Sequence, residues 1–161
     1  MLITKTQATD AVEHLTTDHE ELRRLLSELG DSKSEQVKKR ADLVAKIAQA
    51  VRVHARIEEE IFYPAYRAAA LTKDDAKLFF EATEEHALVD VVLPALEAED
   101  PSTEVFEAKA KVLKDMIEHH ADEEEDLMFP RAVKLLGKDR LLELGAALEA
   151  RKQALLSELR A

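Results

Sequence analysis

Two stretches of the sequence place a histidine four residues before a glutamate, among similar acidic and apolar residues. Residues 54–64 read HARIEEEIFYP, and residues 120–130 read HADEEEDLMFP. In each stretch a proline stands at the tenth position after the histidine. A His and a Glu four residues apart lie one above the other on a single face of an α-helix. His and Glu are both residue types that bind metal ions, so this repeated motif suggests metal binding.

Two more histidines extend the repeated motif into a longer pattern. His19 precedes His54 by 35 residues, and His86 precedes His120 by 34 residues. The order His, then His-x-x-x-Glu, therefore occurs twice, which indicates an internal duplication. The candidate metal ligands are His19, His54, Glu58, His86, His120 and Glu124.

Composition limits the fold that can carry these residues. The chain has 161 residues, 46% of them hydrophobic and 35% charged, which fits one domain with its own core. It contains only 3 Gly and 4 Pro and is rich in Ala, Leu, Glu, Lys and Arg, which favours an all-α fold. No cysteine is present, which excludes disulfides, thiolate metal ligands and a cysteine nucleophile.

Charge and hydropathy predict the surroundings of the protein. The formal net charge of −11 argues against nucleic acid as a partner, because phosphates would be repelled. The first ten residues are too short and polar a stretch for a signal peptide, and no run of eighteen or more apolar residues exists for a membrane span. We therefore expect a cytoplasmic protein with no membrane partner.

The helical spacing of apolar residues predicts five helices. Their expected positions are 9–29, 34–70 with Ser34 as N-cap, a third helix from Thr72 or Asp74, a fourth from Ser102 or Thr103 to Gly137, and 138–159. Pro64 and Pro94 predict bends within the second and third helices. Short connections make consecutive helices antiparallel, which predicts an up-down-up-down four-helix bundle over 1–136. The C-terminal helix, 137–161, is predicted to pack on the bundle or on a partner chain.

The candidate ligands lie on the apolar stripes of four different helices and therefore face the core. A single His on such a stripe is usually a core histidine, and one His–Glu pair is usually a surface contact. Neither interpretation fits six such residues together, because buried carboxylates without compensating charge cost several kcal/mol each. No Lys or Arg lies on the stripes at this level. Metal cations are the simplest compensation.

The number and type of these ligands favour two ions over one. Four imidazoles and two carboxylates give each ion two histidines, with Glu58 and Glu124 bridging between the ions. Mixed nitrogen and oxygen ligands favour iron, with manganese and zinc as poorer candidates. The sequence thus predicts a non-haem di-iron centre.

The ordered set of motifs resembles the hemerythrin-like HHE family. The resemblance covers Val12 to Pro130 and rests on DHEEL around His19, on EEHALV around His86 and on the two HxxxE phrases. It implies a hemerythrin-like four-helix bundle around an oxo- or hydroxo-bridged di-iron site that binds dioxygen or related small ligands.

Two departures separate the chain from the oxygen-carrying hemerythrins. Those proteins have a further His one turn before the third-helix ligand, where this chain has Ala82. Their last carboxylate is an Asp five residues after its His, whereas Glu124 follows His120 by four. The chain is more similar to the H-HxxxE-H-HxxxE branch, which includes catalase-like mycobacterial-type proteins and the iron-sensing domain of an F-box protein. This difference disfavours reversible oxygen carriage.

Two other ligand patterns compete with this assignment. A ferritin-like centre needs Glu-x-x-His, and no His in the chain has a Glu three residues before it. The doublet at 119 and 120 offers a second register, in which His119 pairs with Glu123. The apolar stripe and the proline spacing both favour His120, so we expect His119 at the rim of the site or hydrogen-bonded to a ligand.

Other residues near the motifs are expected to play different roles. His14 lies off the apolar stripe of the first helix and is expected to be exposed. Tyr63 and Phe129 are expected to pack in the core, with a hydrogen bond from the Tyr63 hydroxyl to the site as the alternative. The neighbouring acids are expected to be solvated, although one of them could orient a ligating imidazole. These acids are Glu59, Glu60, Glu123 and Glu125.

The predicted function is the turnover or scavenging of a dioxygen-derived ligand. Catalase-like breakdown of peroxide suits two irons, which can share the two electrons of the reaction. The alternative is a module that binds iron, oxygen or nitric oxide for sensing or storage, without catalysis. A third interpretation is a polar bundle core without metal. The expected partner is a small molecule, and the protein is expected to be a monomer or a homodimer.

Overall fold

A computed structural model describes residues 8–161 of the chain. The helices are α1 (Ala11–Asp31), α2 (Val37–Ile57), α3 (Tyr63–Ala69), α4 (Lys73–Glu97), α5 (Glu104–Glu123) and α6 (Phe129–Arg160). A π-helical turn, Glu58–Phe62, joins α2 to α3, and a second one, Glu124–Met128, joins α5 to α6. Residues 8–161 contain no strand, and the prediction of an all-α fold is confirmed.

The helices form the predicted antiparallel four-helix bundle. α1 packs against α2 and α5, and α4 packs against α2 and α5, so each helix contacts two neighbours around a common core. α3 extends α2 beyond its π-helical turn, and the beginning of α6 extends α5 in the same way. None of the helices described between residues 8 and 161 is long and apolar enough to cross a membrane.

The bundle core consists of two apolar clusters. The first contains Leu22, Leu26, Ile47, Val51, Leu93 and Leu113, with others around them. The second contains Leu15, Ile57, Phe62, Tyr66, Phe129 and Leu144. On α1, His19 lies between Leu15 of the second cluster and Leu22 of the first. The level of the predicted ligands is therefore enclosed by well-packed apolar side chains on both sides.

Side-chain caps fix the beginnings of three helices. Asp10 and Glu13 form a capping box at the start of α1, and Thr72 and Asp75 form another at the start of α4. Thr103 accepts a hydrogen bond from the backbone N–H of Phe106 at the start of α5. Of the alternatives left open by the sequence, Thr72 and Thr103 are therefore the caps.

The predicted N-cap of the second helix is wrong. α2 begins at Val37 after Gln36, and no side chain caps it. Ser34 lies before this point, and its hydroxyl contacts the neighbouring Glu35 carboxylate. The residues before Val37 form a turn in which Gln36 accepts a hydrogen bond from the Lys33 backbone N–H, so the helix starts later than its polar residues suggest.

Gly137 divides α6 into two segments, close to where the sequence predicted a helix end. Its φ of 77° and ψ of 166° are not helical, and the positive φ is one that glycine adopts without strain. The segment after Gly137 packs on α1 through the buried Leu141, Leu144 and Leu148. The division of the chain into domains at residue 136 stays a prediction.

Candidate metal centre

The bundle brings all six predicted ligands together at one level of its core. His19 comes from α1 and His86 from the middle of α4. The two HxxxE phrases each end a helix, so that the His belongs to α2 or α5 and the Glu begins the π-helical turn that follows. All six side chains are buried, and their exposed fractions lie between 0% and 8%.

The four imidazoles form two pairs. The Nε2 atoms of His19 and His54 lie 3.2 Å apart, and those of His86 and His120 are also 3.2 Å apart. Two imidazole nitrogens that share an ion at about 2.1 Å each would stand about 3 Å from one another. Both pairs therefore have the separation that a common metal ion requires.

Each of the two glutamates reaches both histidine pairs. The Glu58 Oε1 atom lies 2.8 Å from His54 Nε2, and its Oε2 atom lies 3.0 Å from His86 Nε2. Glu124 Oε1 lies 3.0 Å from His120 Nε2 and 3.3 Å from His19 Nε2. The Oε1 atoms of both glutamates are buried and accept no hydrogen bond within residues 8–161. Buried oxygens without donors, facing nitrogens, are the arrangement that metal cations complete.

The outer nitrogens of three imidazoles are held by carboxylates. His54 Nδ1 donates to Asp18 at 3.0 Å, and His86 Nδ1 donates to Glu59 at 2.9 Å. His120 Nδ1 donates to Glu85 at 3.1 Å. A proton on Nδ1 leaves the Nε2 lone pair directed into the site, and the carboxylate fixes the plane of the ring. These imidazoles thus have the orientation that metal binding through Nε2 would require.

The fourth imidazole has a carboxylate nearby without a hydrogen bond. His19 Nδ1 lies 3.3 Å from Glu125 Oε2, but the geometry does not form a hydrogen bond and Nδ1 has no other partner among the described residues. The His19 ring instead stacks on Phe129, with centroids 5.8 Å apart and planes inclined by 8°.

The sequence did not predict that two of the carboxylates holding imidazoles, Asp18 and Glu85, would have this role. Asp18 and Glu85 each directly precede a candidate ligand histidine of their own helix. Asp18 contacts His54 and Glu85 contacts His120, which are candidate ligands on neighbouring helices. An acid before each first histidine of the repeat was the available signal. The expectation that a neighbouring acid could orient an imidazole is met by Glu59.

Tyr63 enters the site, where the sequence favoured a packing role. Its hydroxyl donates to Glu58 Oε2 at 3.1 Å and lies 3.0 Å from Glu124 Oε2. The same oxygen is 3.1 Å from His86 Nε2 and 3.4 Å from His120 Nε2. The alternative expected for Tyr63, a hydrogen bond into the site, is therefore the one that the structure supports.

The π-helical turns explain why helical spacing placed Tyr63 elsewhere. In a regular α-helix the fifth residue after Glu58 lies about 140° around the axis. Here the Tyr63 backbone N–H donates to the Glu58 carbonyl, five residues back, which widens the turn and brings both side chains to the same face. Phe129 and Glu124 have the same relation in the second half.

The whole-chain comparisons agree with this geometry. The model of the family described as the Hemerythrin HHE cation binding domain matches residues 10–132, which is most of the chain. The chain belongs to the hemerythrin HHE cation-binding domain family. The predictions of this family and of metal binding are thereby confirmed.

A solved member of the HHE family has the same fold. The crystal structure of a Hemerythrin HHE cation binding domain-containing protein from Mycobacterium kansasii superimposes with a TM-score of 0.81. The two chains are 28% identical, and the match covers 95% of this HHE chain and 93% of the other.

A curated relative of this HHE chain is considerably longer. It is a protein of Nostoc sp. (strain PCC 7120 / SAG 25.82 / UTEX 2576) named DNA nickase, and it is 25% identical over 142 residues. The match covers 88% of this chain but 39% of the relative. The chain thus spans about two fifths of the length of the relative it matches, and the relative's name describes that larger protein.

Electrostatics within the HHE centre reflect the close approach of the imidazoles and carboxylates. Burial by itself lowers the pKa of His54, but the carboxylates of Glu58 and Asp18 raise that pKa to about 10. Burial likewise lowers the pKa of His86, and Glu58 and Glu59 raise it to about 9. Burial raises the pKa of Glu58, yet His54 and the other imidazoles hold it well below its ordinary value. Metal ions bound here would replace the protons of these imidazoles.

A small cavity adjoins the inner face of the HHE centre. Its volume is about 40 Å³, which leaves room for a molecule of a few atoms. All four candidate ligand histidines contribute to its wall, and the rest is mostly apolar. The apolar lining consists of Leu22, Val51, Ala55, Val89, Ile117 and Ala121.

The two remaining histidines have different positions. His119 is 65% exposed and lies 3.4 Å from Glu85 and 3.5 Å from Glu123, at the rim where the sequence placed it. The expectation for His14 was wrong, because only 8% of the side chain is exposed. α6 covers this face of α1, and His14 Nε2 lies 2.8 Å from Glu149. The apolar stripe of α1 alone did not reveal this second covering helix.

Proposed function

We propose that this HHE protein holds two iron ions, bridged by Glu58 and Glu124, and uses them to break down peroxide. The observation that carries the proposal is the position of the two glutamates. Each places its oxygens within 3.3 Å of an imidazole from both histidine pairs. A single ion would use only one histidine pair, and the other pair, with its buried glutamate oxygens, would lack a cation.

Iron fits this set of donors better than other common ions. Each position offers two imidazoles and two carboxylates, without a thiolate, and such mixed ligands suit iron, with manganese and zinc less favoured. An oxo or hydroxo group is expected as a further bridge, as the family resemblance implies. When bound, two irons supply the two one-electron steps that peroxide disproportionation needs.

The reaction is 2 H₂O₂ → 2 H₂O + O₂, and the protein's own residues contribute position, exclusion of water and protons. The apolar wall of the 40 Å³ cavity limits the ligand to a small molecule next to the imidazoles. The Tyr63 hydroxyl lies within hydrogen-bonding distance of both glutamates and can hold or donate a proton there. Ala82 is buried and adds no ligand on α4, so fewer imidazoles compete for coordination positions.

The test combines metal analysis with oxygen release. We expect two irons per chain after purification from iron-replete cells, and oxygen evolution from added peroxide measured with an oxygen electrode. His86→Ala should abolish both iron at its position and oxygen release, whereas His119→Ala should retain both. One metal per chain, or zinc as the metal acquired under these conditions, would contradict the di-iron assignment.

A second candidate function is favoured by the size of the cavity. About 40 Å³ of mostly apolar space suits dioxygen or nitric oxide as well as peroxide, so the protein could bind such a ligand for sensing or storage without turnover. In that case the iron-loaded protein should show a ligand-dependent optical spectrum and no oxygen release from peroxide. A stable, reversible oxygen spectrum would in addition support oxygen carriage, which the absence of a histidine at position 82 disfavours.

A further inference from the structure

The carboxylates around the two histidine pairs do not have the same partners. Asp18, which holds His54, accepts a hydrogen bond from the Lys152 ammonium of α6 at 2.5 Å. Glu125, beside His19, accepts hydrogen bonds from the Arg23 guanidinium at 2.5 and 3.3 Å. Both outer carboxylates of the His19–His54 pair are therefore neutralised by a cation.

The acids around the other pair lack such cations. Within residues 8–161, no Lys or Arg nitrogen lies within 4.0 Å of Glu59 or Glu85. Glu85 also lies 3.4 Å from the His119 imidazole, but 65% of that side chain is exposed to water. Neither carboxylate beside His86 and His120 is therefore paired with a Lys or Arg in the described part of the chain. Around His19 and His54, two carboxylates face two cations. Asp122 also contacts Arg23, but 65% of its side chain is exposed, so water screens its charge.

This difference has a direct effect on metal affinity. A carboxylate that accepts the Nδ1 proton of a ligating imidazole makes that imidazole a stronger donor, and its negative charge attracts the metal. A Lys or Arg bound to the same carboxylate opposes both effects, because it draws the carboxylate charge toward itself and repels a nearby cation. Glu125 illustrates this, since it is hydrogen-bonded to Arg23 and not to His19.

We propose that Lys152 and Arg23 weaken metal binding at the His19–His54 position, so that the His86–His120 position fills first and the other holds an exchangeable ion. The inference rests on the two-ion centre proposed above. Lys152 and Arg23 are in this view positioning residues, because each acts on the metal through a carboxylate.

The surface next to the weaker position fits an exchangeable ion. A cleft of about 500 Å³ lies between α1, α2 and the C-terminal segment of α6. Asp18, His54 and Lys152 contribute to its wall. The carboxylate and imidazole at the His19–His54 position are therefore reached from a surface cleft, and the cation that weakens this position stands in the same cleft.

The first experiment measures the order of filling in the complete protein. Metal-free protein is titrated with Fe²⁺ under anaerobic conditions and followed by calorimetry. We expect two steps of one ion each, with dissociation constants about 100-fold apart, because each of the two cations repels the metal ion and weakens its binding by roughly tenfold. His86→Ala should remove the tight step, and His19→Ala should leave it in place.

The second experiment separates an electrostatic role from a structural one. Lys152→Met should raise the affinity of the weak step about tenfold, because it removes the positive charge that repels the ion, and Lys152→Arg should restore the original value. Arg151→Met is the matched control, since Arg151 lies next to Lys152 on α6 but pairs with Glu60, which contacts none of the six ligands. If Lys152 only held Asp18 in place, Lys152→Met would instead lower the affinity.

Each other outcome has a defined meaning. A single step for two ions, the reverse order of filling, or an unchanged or lowered affinity in Lys152→Met would overturn the inference while leaving the two-iron proposal intact. A total of one ion per chain would contradict the two-iron proposal itself. The two failures are distinguished by the stoichiometry of the same titration.

Discussion

Glu58 and Glu124 differ from the acids beside them in what their oxygens reach. Glu58 is completely buried and contacts imidazoles of both pairs, whereas Glu60 binds Arg56 and Arg151 at the surface. Glu59 is intermediate, because it is half exposed yet holds His86. At the scale of single residues, a carboxylate's distance from the metal position should therefore determine the effect of its removal.

We expect Glu58→Ala to lose iron at both positions, because both would lack a bridging ligand. Glu59→Ala should keep two irons and weaken binding about 10- to 100-fold, as is usual when a group that holds a ligating imidazole is removed. Glu60→Ala should bind iron like the unmodified chain. Iron content and Fe²⁺ titration measure all three. Equal losses in all three variants would show that the register of the HxxxE phrase is wrong.

Tyr63 is the residue whose position in the structure differs most from the packing role that the sequence favoured. Burial and the nearby carboxylates of Glu124 and Glu58 raise its pKa well above the ordinary value, so its hydroxyl keeps its proton in the metal-free protein. We expect Tyr63→Phe to retain two irons and to slow oxygen release from peroxide about 100-fold, the low end for loss of a group that transfers protons.

Tyr66→Phe is the matched control for this variant. Tyr66 is also fully buried, but its hydroxyl has no hydrogen-bond partner among residues 8–161. Peroxide turnover in this variant should equal that of the unmodified protein. If Tyr63→Phe and Tyr66→Phe behaved alike, with normal turnover and an unchanged optical spectrum of the ferric protein, the Tyr63 hydroxyl would have no part in the reaction.

At the scale of elements, the sequence predicted the features that follow the regular spacing of an α-helix. The His-to-Glu spacing of four and the apolar stripes placed all six candidate ligands correctly inside the bundle, because an α-helix fixes which residues share a face. The π-helical turns break this rule over Glu58–Phe62 and Glu124–Met128. Pro64 indicated an irregularity next to the first of these turns, but a proline predicts a disturbed helix and not the direction in which the next side chains turn.

The sequence also did not predict which side chains of different helices contact each other. Asp18 and Glu85 were missed because each holds an imidazole of a different helix, and nothing in the spacing along one helix reveals such a pairing. The burial of His14 was not predicted for a similar reason, since it depends on the packing of α6 against α1. Local capping was more visible, although several polar residues competed for each helix start.

The caps give a test at this scale. We expect Thr72→Ala to lower the free energy of unfolding by about 1 kcal/mol, because the Asp75 backbone N–H at the start of α4 loses its acceptor. Ser34→Ala should change it by less than about 0.5 kcal/mol, as is usual for surface substitutions, since Ser34 does not cap α2. Urea denaturation of the two variants compares them. A larger loss in Ser34→Ala would indicate that α2 starts earlier than the structure has it.

At the scale of the whole molecule, α6 affects both the stability of the bundle and the surroundings of the metal centre. The segment after Gly137 covers α1 and carries Lys152, whose ammonium holds Asp18 beside His54. Gly145 of this segment packs directly on the backbone of Thr9 and Asp10, just before α1. A side chain at this point would therefore disturb both the packing of α6 and the surroundings of one metal position.

We expect Gly145→Ala to lower the free energy of unfolding by about 1–3 kcal/mol, the usual effect of overpacking. A Cβ atom there would lie 2.2 Å from the Thr9 carbonyl oxygen and 2.7 Å from the Asp10 carbonyl carbon, and both are backbone atoms that cannot turn aside. Gly30→Ala is the control, because nothing lies within 4 Å of its Cβ position. Since Gly30 belongs to α1, alanine should stabilise this helix by about 0.5–1 kcal/mol. Chemical denaturation of metal-free protein measures both, and equal stability of the two variants would show that Gly145 does not pack closely on the Thr9 and Asp10 backbone.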